Sequence, residues 1–487
     1  MPDTVKTKPN AHLTAALILA CLAQFMVILD VSVVNVALPA IRNGLHFTEV
    51  DLQWVVNAYT VTFAGFLLLG GRAADLLGRR RVFVAGLILF GLASLAGGMA
   101  DSQPLLIAAR AVQGLGGAVV APASLSILTT TFTEGPARNK AVGIWGAMGG
   151  AGGAAGVLLG GVLTDLLGWR WILFINVPIA LAAAILAHRM IAEGRDANRA
   201  RNFDLSGALA ATVGLSLLVL GIVRTDQTGW SSAPTLGLIA GGAILLGIFV
   251  IIEGRFASHP LMPLRIYASR ALSAANVVVL LVGGATFGMW FFVSLYLQQV
   301  LGYSPIKAGL AFLPMTLCIV VGSTLASRVV ARIGTKPLLV TGMSAQAIGL
   351  LLFTRVAVHG TYVGDMLLAS LLVAIGIGLS FVPATIAAVA GVAPAEAGLA
   401  SGLVNTARMF GGALGLAVLA AIATAQTNTD LHTGASAHAA LTSGFQVAFG
   451  VAAGFAVAGG LVALFGLPRL RPRPGVEPVT AAAESSA

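Results

Sequence analysis

The chain has 487 residues, of which 57% are hydrophobic and only 9% charged, against about 25% charged in an ordinary soluble domain. That composition excludes a water-soluble enzyme and predicts an integral membrane protein. The net charge of +10 would suit nucleic acid, but the basic residues gather at the ends of apolar runs, where they report membrane orientation and not a nucleic-acid footprint.

Glycine makes up 60 of the 487 residues, which suits close helix packing in lipid, where small residues let backbones approach. Cys21 and Cys318 lie in apolar runs far apart in sequence, so no disulfide framework is expected. The first apolar run, 13–41, is too long for a signal h-region and has no clear small-residue cleavage site. It is expected to stay in the mature protein.

That first run carries Asp30. Roughly 20 apolar residues span a bilayer, and a carboxylate in mid-span costs at least ~2.5–3.5 kcal/mol on insertion scales. A residue kept there at that cost faces a cavity, pairs with a cation or carries a proton. Apolar runs recur near 13–40, 52–70, 82–100, 104–128, 140–164, 171–190, 205–224, 234–252, 272–298, 307–331, 337–357, 362–390, 398–424 and 444–466, giving fourteen predicted spans. With the N-terminus inside, 21 of the 28 Lys and Arg residues fall in cytoplasmic segments, five outside, and Arg110 and Arg408 within spans. The positive-inside rule therefore predicts that both termini are cytoplasmic.

The loop after the second run reads Gly71-Arg72-Ala73-Ala74-Asp75-Leu76-Leu77-Gly78-Arg79-Arg80-Arg81, and the segment from Ser327 to Lys336 is a worn copy aligned on Gly78 and Gly334. This repeat predicts two six-helix halves separated by an inserted pair. The expected organisation is a cytoplasmic tail 1–12, a bundle 13–190, a loop 191–204, inserted spans 205–252, a loop 253–271, a second bundle 272–466 and a tail 467–487. Asp75, placed ahead of a helix start, can accept free helix N–H groups and sits well with the helix dipole. A plain positive-inside anchor is the alternative for the three arginines alone.

The fourth run carries Arg110-Ala111-Val112-Gln113-Gly114, with Arg110 and Gln113 on one helix face. Arg110 is about six residues from Pro104 and Asp30 about eleven from Ile41. At ~1.5 Å per residue the axial offset is roughly 7 Å, which an arginine stem covers. An Asp30–Arg110 partnership is feasible, and snorkelling of Arg110 to the outer surface is its alternative. Asn35 is about 140° round the helix from Asp30 and should face a different neighbour. The fifth run ends Gly156-Val157-Leu158-Leu159-Gly160-Gly161, and the ninth holds Phe287, Trp290, Phe291, Phe292 and Tyr296. Those rings suit either a cavity for lipophilic molecules or packing against core and lipid.

Taken together these stretches resemble the fourteen-span drug:proton antiporters of the major facilitator superfamily, and the resemblance covers nearly the whole chain. It is carried by Leu29 to Pro39, by the Gly71–Arg81 loop (with Leu76 where arginine is common), by the Arg110 motif, and by Gly168-Trp169-Arg170-Trp171 through Asn176-Val177-Pro178. Val157 stands where the antiporter motif has proline, so the kink that proline imposes is not specified. The resemblance implies an all-α major facilitator fold of two six-helix bundles with two extra inserted helices. It further implies proton coupling at Asp30 and Arg110, a conformational loop of Gly71, Asp75, Gly78, Arg79, Arg80 and Arg81 that locks the bundles by charge, and helix packing through Gly152, Gly156, Gly160 and Gly161. A substrate cavity would involve Gln113, Phe287, Trp290, Phe291 and Tyr296.

The expected function is export of drugs, antibiotics or other small amphipathic compounds across the cell membrane, driven by inward proton flow. Uptake, or export of one metabolite, is the alternative within transport. A membrane enzyme or sensor is a second class, disfavoured because the histidines show no metal spacing and no phosphate loop is present. No metal or cofactor is expected beyond the proton as coupling ion. The expected partners are a small-molecule substrate and the bilayer, without nucleic acid, and the protein is expected to act as a monomer.

Overall fold

The computed structural model describes residues 9–132, 136–191, 193, 205–256, 260, 262–390, 392 and 396–468. Most of the two predicted tails and most of the 191–204 loop lie outside the described residues. With no water in a bilayer core, backbone amides must be satisfied within the segment, and low-charge apolar runs of this length do so as helices. Among the described residues, fourteen helices are long and apolar enough to cross a membrane.

In chain order they are α1 (Pro9–Leu45), α2 (Trp54–Leu77), α3 (Arg79–Gly98), α4 (Gln103–Thr131), α5 (Pro136–Leu166), α6 (Asn176–Met190) and α7 (Leu205–Thr228). There follow α8 (Ala233–Ile251), α9 (Arg270–Leu295), α10 (Pro305–Ile333), α11 (Thr335–Phe353), α12 (Leu368–Ala390), α13 (Ala397–His432) and α14 (Ala437–Gly466). Several outrun their apolar cores. The first begins before residue 13 and ends past Ile41, and α13 runs eight residues beyond 424.

Gly78 ends α2 and starts α3 at φ 107°, and Gly334 does the same between α10 and α11 at φ 85°. Both need the left-handed region that glycine enters without a Cβ penalty, so the two loops aligned in sequence perform the same local turn. Asp75 departs from its expected place: it lies inside α2, whose last residue is Leu77, and not ahead of a helix start. Its side chain lies outside the described residues.

Packing partners repeat between the halves with an offset of eight helices. In the first half α1 packs on α5, α2 on α4, and α3 on α4 and α6; in the second α9 packs on α13, α10 on α12, and α11 on α12 and α14. The protein is therefore two six-helix bundles, with α7 and α8 inserted between them in sequence. The inserted helices pack on each other, and α7 also covers the seam between α2 and α13. Val219 and Val223 of α7 form a cluster there with Val61, Ala413 and Ala417.

Glycine sets how closely α5 approaches its two neighbours. A Cβ on Gly152 would stand 2.7 Å from the Phe25 carbonyl, one on Gly156 2.8 Å from the Leu29 carbonyl, and one on Gly160 2.9 Å from the Val33 carbonyl. This face carries α1 within its own bundle. The adjacent face meets α10 of the other bundle, with Gly150 against Val320, Gly153 near Thr316 and Gly161 against Pro305. Further along that same face, toward the end bearing Gly78 and Gly334, a Cβ on Gly146 or Gly143 would meet nothing within 4 Å. At this basic end the glycine face of α5 looks onto open space. At the far end the bundles are tied: Ser294 Oγ donates to the Asn35 carbonyl at 2.5 Å and Gln298 Nε2 to the Val36 carbonyl at 2.8 Å. The Asn35 side chain bonds back to the Val31 carbonyl of its own helix at 2.9 Å.

Candidate functional site

Asp30 is fully buried within the first bundle. Arg110 Nη1 donates to its Oδ2 at 2.6 Å, while Gln113 Nε2 and Asn176 Nδ2 donate to its Oδ1 at 2.7 and 2.8 Å. Each bond to the carboxyl comes from an N–H donor, so the arrangement fits the ionised carboxylate. Protonation would remove the charge that Arg110 neutralises and leave a buried guanidinium without its anion.

Four further helices converge on that carboxylate of α1. Arg110 and Gln113 share a face of α4, and Arg110 Nη1 also donates to Gln113 Oε1 at 2.6 Å. Its Nε donates to the Val55 carbonyl of α2 at 3.0 Å, and the guanidinium lies 4.6 Å from the Tyr59 ring centroid. Ser94 of α3 accepts from Gln113 at 2.5 Å and from Asn176 of α6 at 3.2 Å. The feasible Asp30–Arg110 pairing is therefore realised, and Arg110 does not reach for the surface. A buried ion pair is costly unless hydrogen bonds satisfy its remaining valences, and here the Gln113 and Asn176 amides and the Val55 carbonyl do so.

Other residues singled out in the sequence fall elsewhere. Gln113, expected on a substrate cavity, is enclosed in the carboxylate network. Its i, i+3 spacing from Arg110 holds it at the ion pair. Tyr296 is fully buried and donates to the Ala357 carbonyl at 2.6 Å, so it does not line an open space in this conformation. Phe291 is buried against Phe292, with ring centroids 5.3 Å apart. Both rings border a cavity of about 320 Å³ at the far end, which Arg42, Thr424, Thr427 and Phe445 also line. Trp290 stacks on Phe312 of α10 at 4.9 Å, and Phe287 lies over Gly412 of α13. These two are the partly exposed members of the group. Helical spacing alone does not separate wall from core on α9, because neighbours enclose most of its circumference.

At the basic end, Arg80 and Arg81 each approach Glu193 Oε2, at 3.5 and 3.4 Å, and Arg80 Nη1 donates to the Ile191 carbonyl at 3.3 Å. A Cβ on Gly78 would collide with the Glu193 carboxylate. Among the described residues, the pairings of these two arginines run within the first bundle, from the start of α3 to the segment after α6. The expected lock between bundles is not formed by them here. Sequence reading missed Glu193, Asn176, Ser94 and Tyr59. Only Asn176 carried a signal, as part of the Trp169–Pro178 resemblance.

Two helix bundles repeating one packing scheme, with an ion pair held in the membrane interior, define a secondary transporter architecture. The profile of the Major Facilitator Superfamily matches residues 20–416 and again 275–486. The chain belongs to that superfamily, a family of transporters and not of enzymes. It is 45% identical over 418 residues to a cephamycin export protein of Amycolatopsis lactamdurans, covering 85% of this chain and 86% of the relative. It is 41% identical over 439 residues to a puromycin resistance protein of Streptomyces alboniger, covering 90% and 87%. Among solved structures, an auto-inhibited peptide transporter of the POT family superposes with a TM-score of 0.68 at 14% identity, covering 96% of this chain and 99% of that one. This last likeness concerns the fold alone.

Proposed function

We propose that this protein exports small amphipathic compounds, antibiotics among them, across the cell membrane in exchange for protons, acting as a monomer by alternating access. The basic end is cytoplasmic, as are both termini. The observation that carries the reading is the Asp30–Arg110 pair, buried at 2.6 Å within one bundle. The export and resistance roles in the names of the two relatives support drug efflux over uptake.

In this reading the present conformation, tied at the far end and open beside the α5 glycines Gly143 and Gly146 at the basic end, receives substrate from the cytoplasm. A proton delivered to Asp30 cancels its charge, and Arg110 then loses its anion while keeping the Val55 carbonyl, the Gln113 amide oxygen and the Tyr59 ring as neutral partners. The network loosens. The change passes along α1 in two directions: through the glycine face of α5, and through the Asn35 and Val36 carbonyls to α9. One proton moving down 100 mV supplies about 2.3 kcal/mol, which sustains roughly fifty-fold accumulation of a neutral substrate.

The test is drug susceptibility of a sensitive host expressing the protein, across chemically diverse compounds, with and without a proton uncoupler. Resistance that an uncoupler abolishes is expected. Resistance unaffected by the uncoupler would contradict proton exchange, and an unchanged susceptibility profile would contradict efflux.

A further inference from the structure

Arg408 is the other arginine predicted within a span, and the carboxylate network makes no use of it. It sits ten residues into the Gly398–His432 span, about 15 Å along the helix, and three residues short of the midpoint of the apolar run 398–424. Its Nη2 donates to Asn405 Oδ1 at 2.9 Å, and its guanidinium lies 5.1 Å from the centroid of Phe381 on α12. Its Nε has no hydrogen-bond partner, and among the described residues no carboxylate pairs with it. Arg110 shows by contrast what a purely internal arginine receives in this protein: a carboxylate, a side-chain amide and a backbone carbonyl.

A cation left unneutralised in the membrane interior is expensive, and such residues face the bundle interior or a water-filled cavity. The surroundings of Arg408 agree. Asn405, Arg408 and Phe381 are all partly exposed, whereas Leu403, Val404 and Ala413 on the same stretch of α13 are buried. The next residue, Met409, packs into the apolar cluster of the first bundle with Tyr59 and Phe63, so this turn of α13 borders the space between the bundles.

We propose that Arg408, with Asn405 and Phe381, is a recognition site for the anionic group of a substrate, a carboxylate attached to an aromatic or apolar body. The guanidinium fork matches a carboxylate in shape and charge. The Asn405 amide nitrogen, whose oxygen partner already serves Arg408, can donate to the same group. Phe381 supplies the apolar face on which the body rests. The inference rests on the reading of the chain as an exporter with substrate bound between its bundles, and it adds a charge preference to that reading.

The test is equilibrium binding to the full chain in nanodiscs at neutral pH, with 1-pyrenebutyric acid and its methyl ester as probes of one shape and different charge. The wild type is expected to bind the acid at least about tenfold more tightly than the ester. In Arg408→Gln the two affinities should converge to within about twofold, through loss of acid binding with ester binding unchanged, and Arg408→Lys should keep part of the preference. Unchanged ester binding reports that the variant is folded. The proposal is overturned if the wild type binds acid and ester alike, if Arg408→Gln keeps the preference, or if that variant loses both probes equally. The wild-type comparison decides even where a variant fails to fold. Binding at equilibrium needs no proton gradient, so a missing acid preference refutes the anion site alone. Loss of uphill export with the preference intact counts against proton exchange alone.

Discussion

Asn176 Nδ2 lies 2.8 Å from Asp30 Oδ1, the same oxygen that Gln113 serves at 2.7 Å, so one carboxylate oxygen is held by amides from two helices while Arg110 holds the other. Asn176 opens α6 and ties it to α1 through a charged acceptor. Hydrogen bonds to charged groups contribute about 1.5–3 kcal/mol. Asn176→Ala is therefore expected to lower the thermal midpoint of the purified protein by an amount corresponding to ~1–3 kcal/mol and to reduce transport. Asn176→Gln, which can reach with a longer amide, should recover part of both. A variant with unchanged midpoint and full transport would mean that Asn176 does not bear on the carboxylate.

The glycines of α5 separate into two groups with opposite expected responses. At Gly156 an added methyl would stand 2.6 Å from Ser32 Cβ and 2.8 Å from the Leu29 carbonyl, so Gly156→Ala must push α1 away beside Asp30. Overpacking of this kind costs about 1–3 kcal/mol, and transport should fall with it. Gly143→Ala meets nothing and removes a helix glycine, a gain of roughly 0.5–1 kcal/mol. Thermal unfolding of the two variants side by side checks the contrast, and equal behaviour would contradict the assigned faces.

How far the sequence disclosed this site depended on how unusual each residue was for its place. A carboxylate and an arginine inside apolar runs stand out because each costs energy there, and helical rise put them within reach of one another. Ser94, Tyr59 and Asn176 did not stand out, since neutral polar side chains are ordinary in spans and nothing in their spacing points to residue 30. The turn glycines Gly78 and Gly334 were legible through their repeated loops, and the offset of eight helices followed from the same repeat. Glu193 was not. It meets Arg80 and Arg81 only because α6 returns its end to the start of α3, a relation no local period encodes. The aromatic group on α9 shows the opposite limit: its spacing was plain, but spacing does not reveal that Tyr296 faces packed neighbours while Phe291 borders a cavity at the far end.

The far-end contacts provide a conformational prediction. Ser294 and Gln298 donate to the carbonyls of Asn35 and Val36, and these bonds join α1 of one bundle to α9 of the other. The double variant Ser294→Ala, Gln298→Ala removes both donors and should shift the equilibrium toward the form open at the far end. Spin labels on the far ends of α1 and α9, read by double electron–electron resonance, should show a larger population of long distances. An unchanged distribution would mean that the closure is held elsewhere.

Glu193 sits 3.4–3.5 Å from Arg80, which is partly exposed, and Arg81, which is exposed. Ion pairs in such settings contribute only about 0–1 kcal/mol. Glu193→Gln should accordingly leave the thermal midpoint nearly unchanged while altering the transport rate, because the pairing fixes the Gly78 turn between α2 and α3. Initial rates at saturating substrate check this, and a large loss of stability would reassign Glu193 to folding.

The central claim is that the carboxylate of Asp30 carries the coupling proton. Asp30→Asn is nearly isosteric and keeps an oxygen for Arg110, but it cannot titrate. Reconstituted in proteoliposomes with an internal pH dye, the wild type should move protons when substrate is added and should accumulate substrate uphill under an imposed proton gradient. The Asp30→Asn protein should bind substrate yet show neither proton movement nor uphill accumulation. Uphill accumulation by that variant under a proton gradient would contradict the account and place the coupling site on another residue.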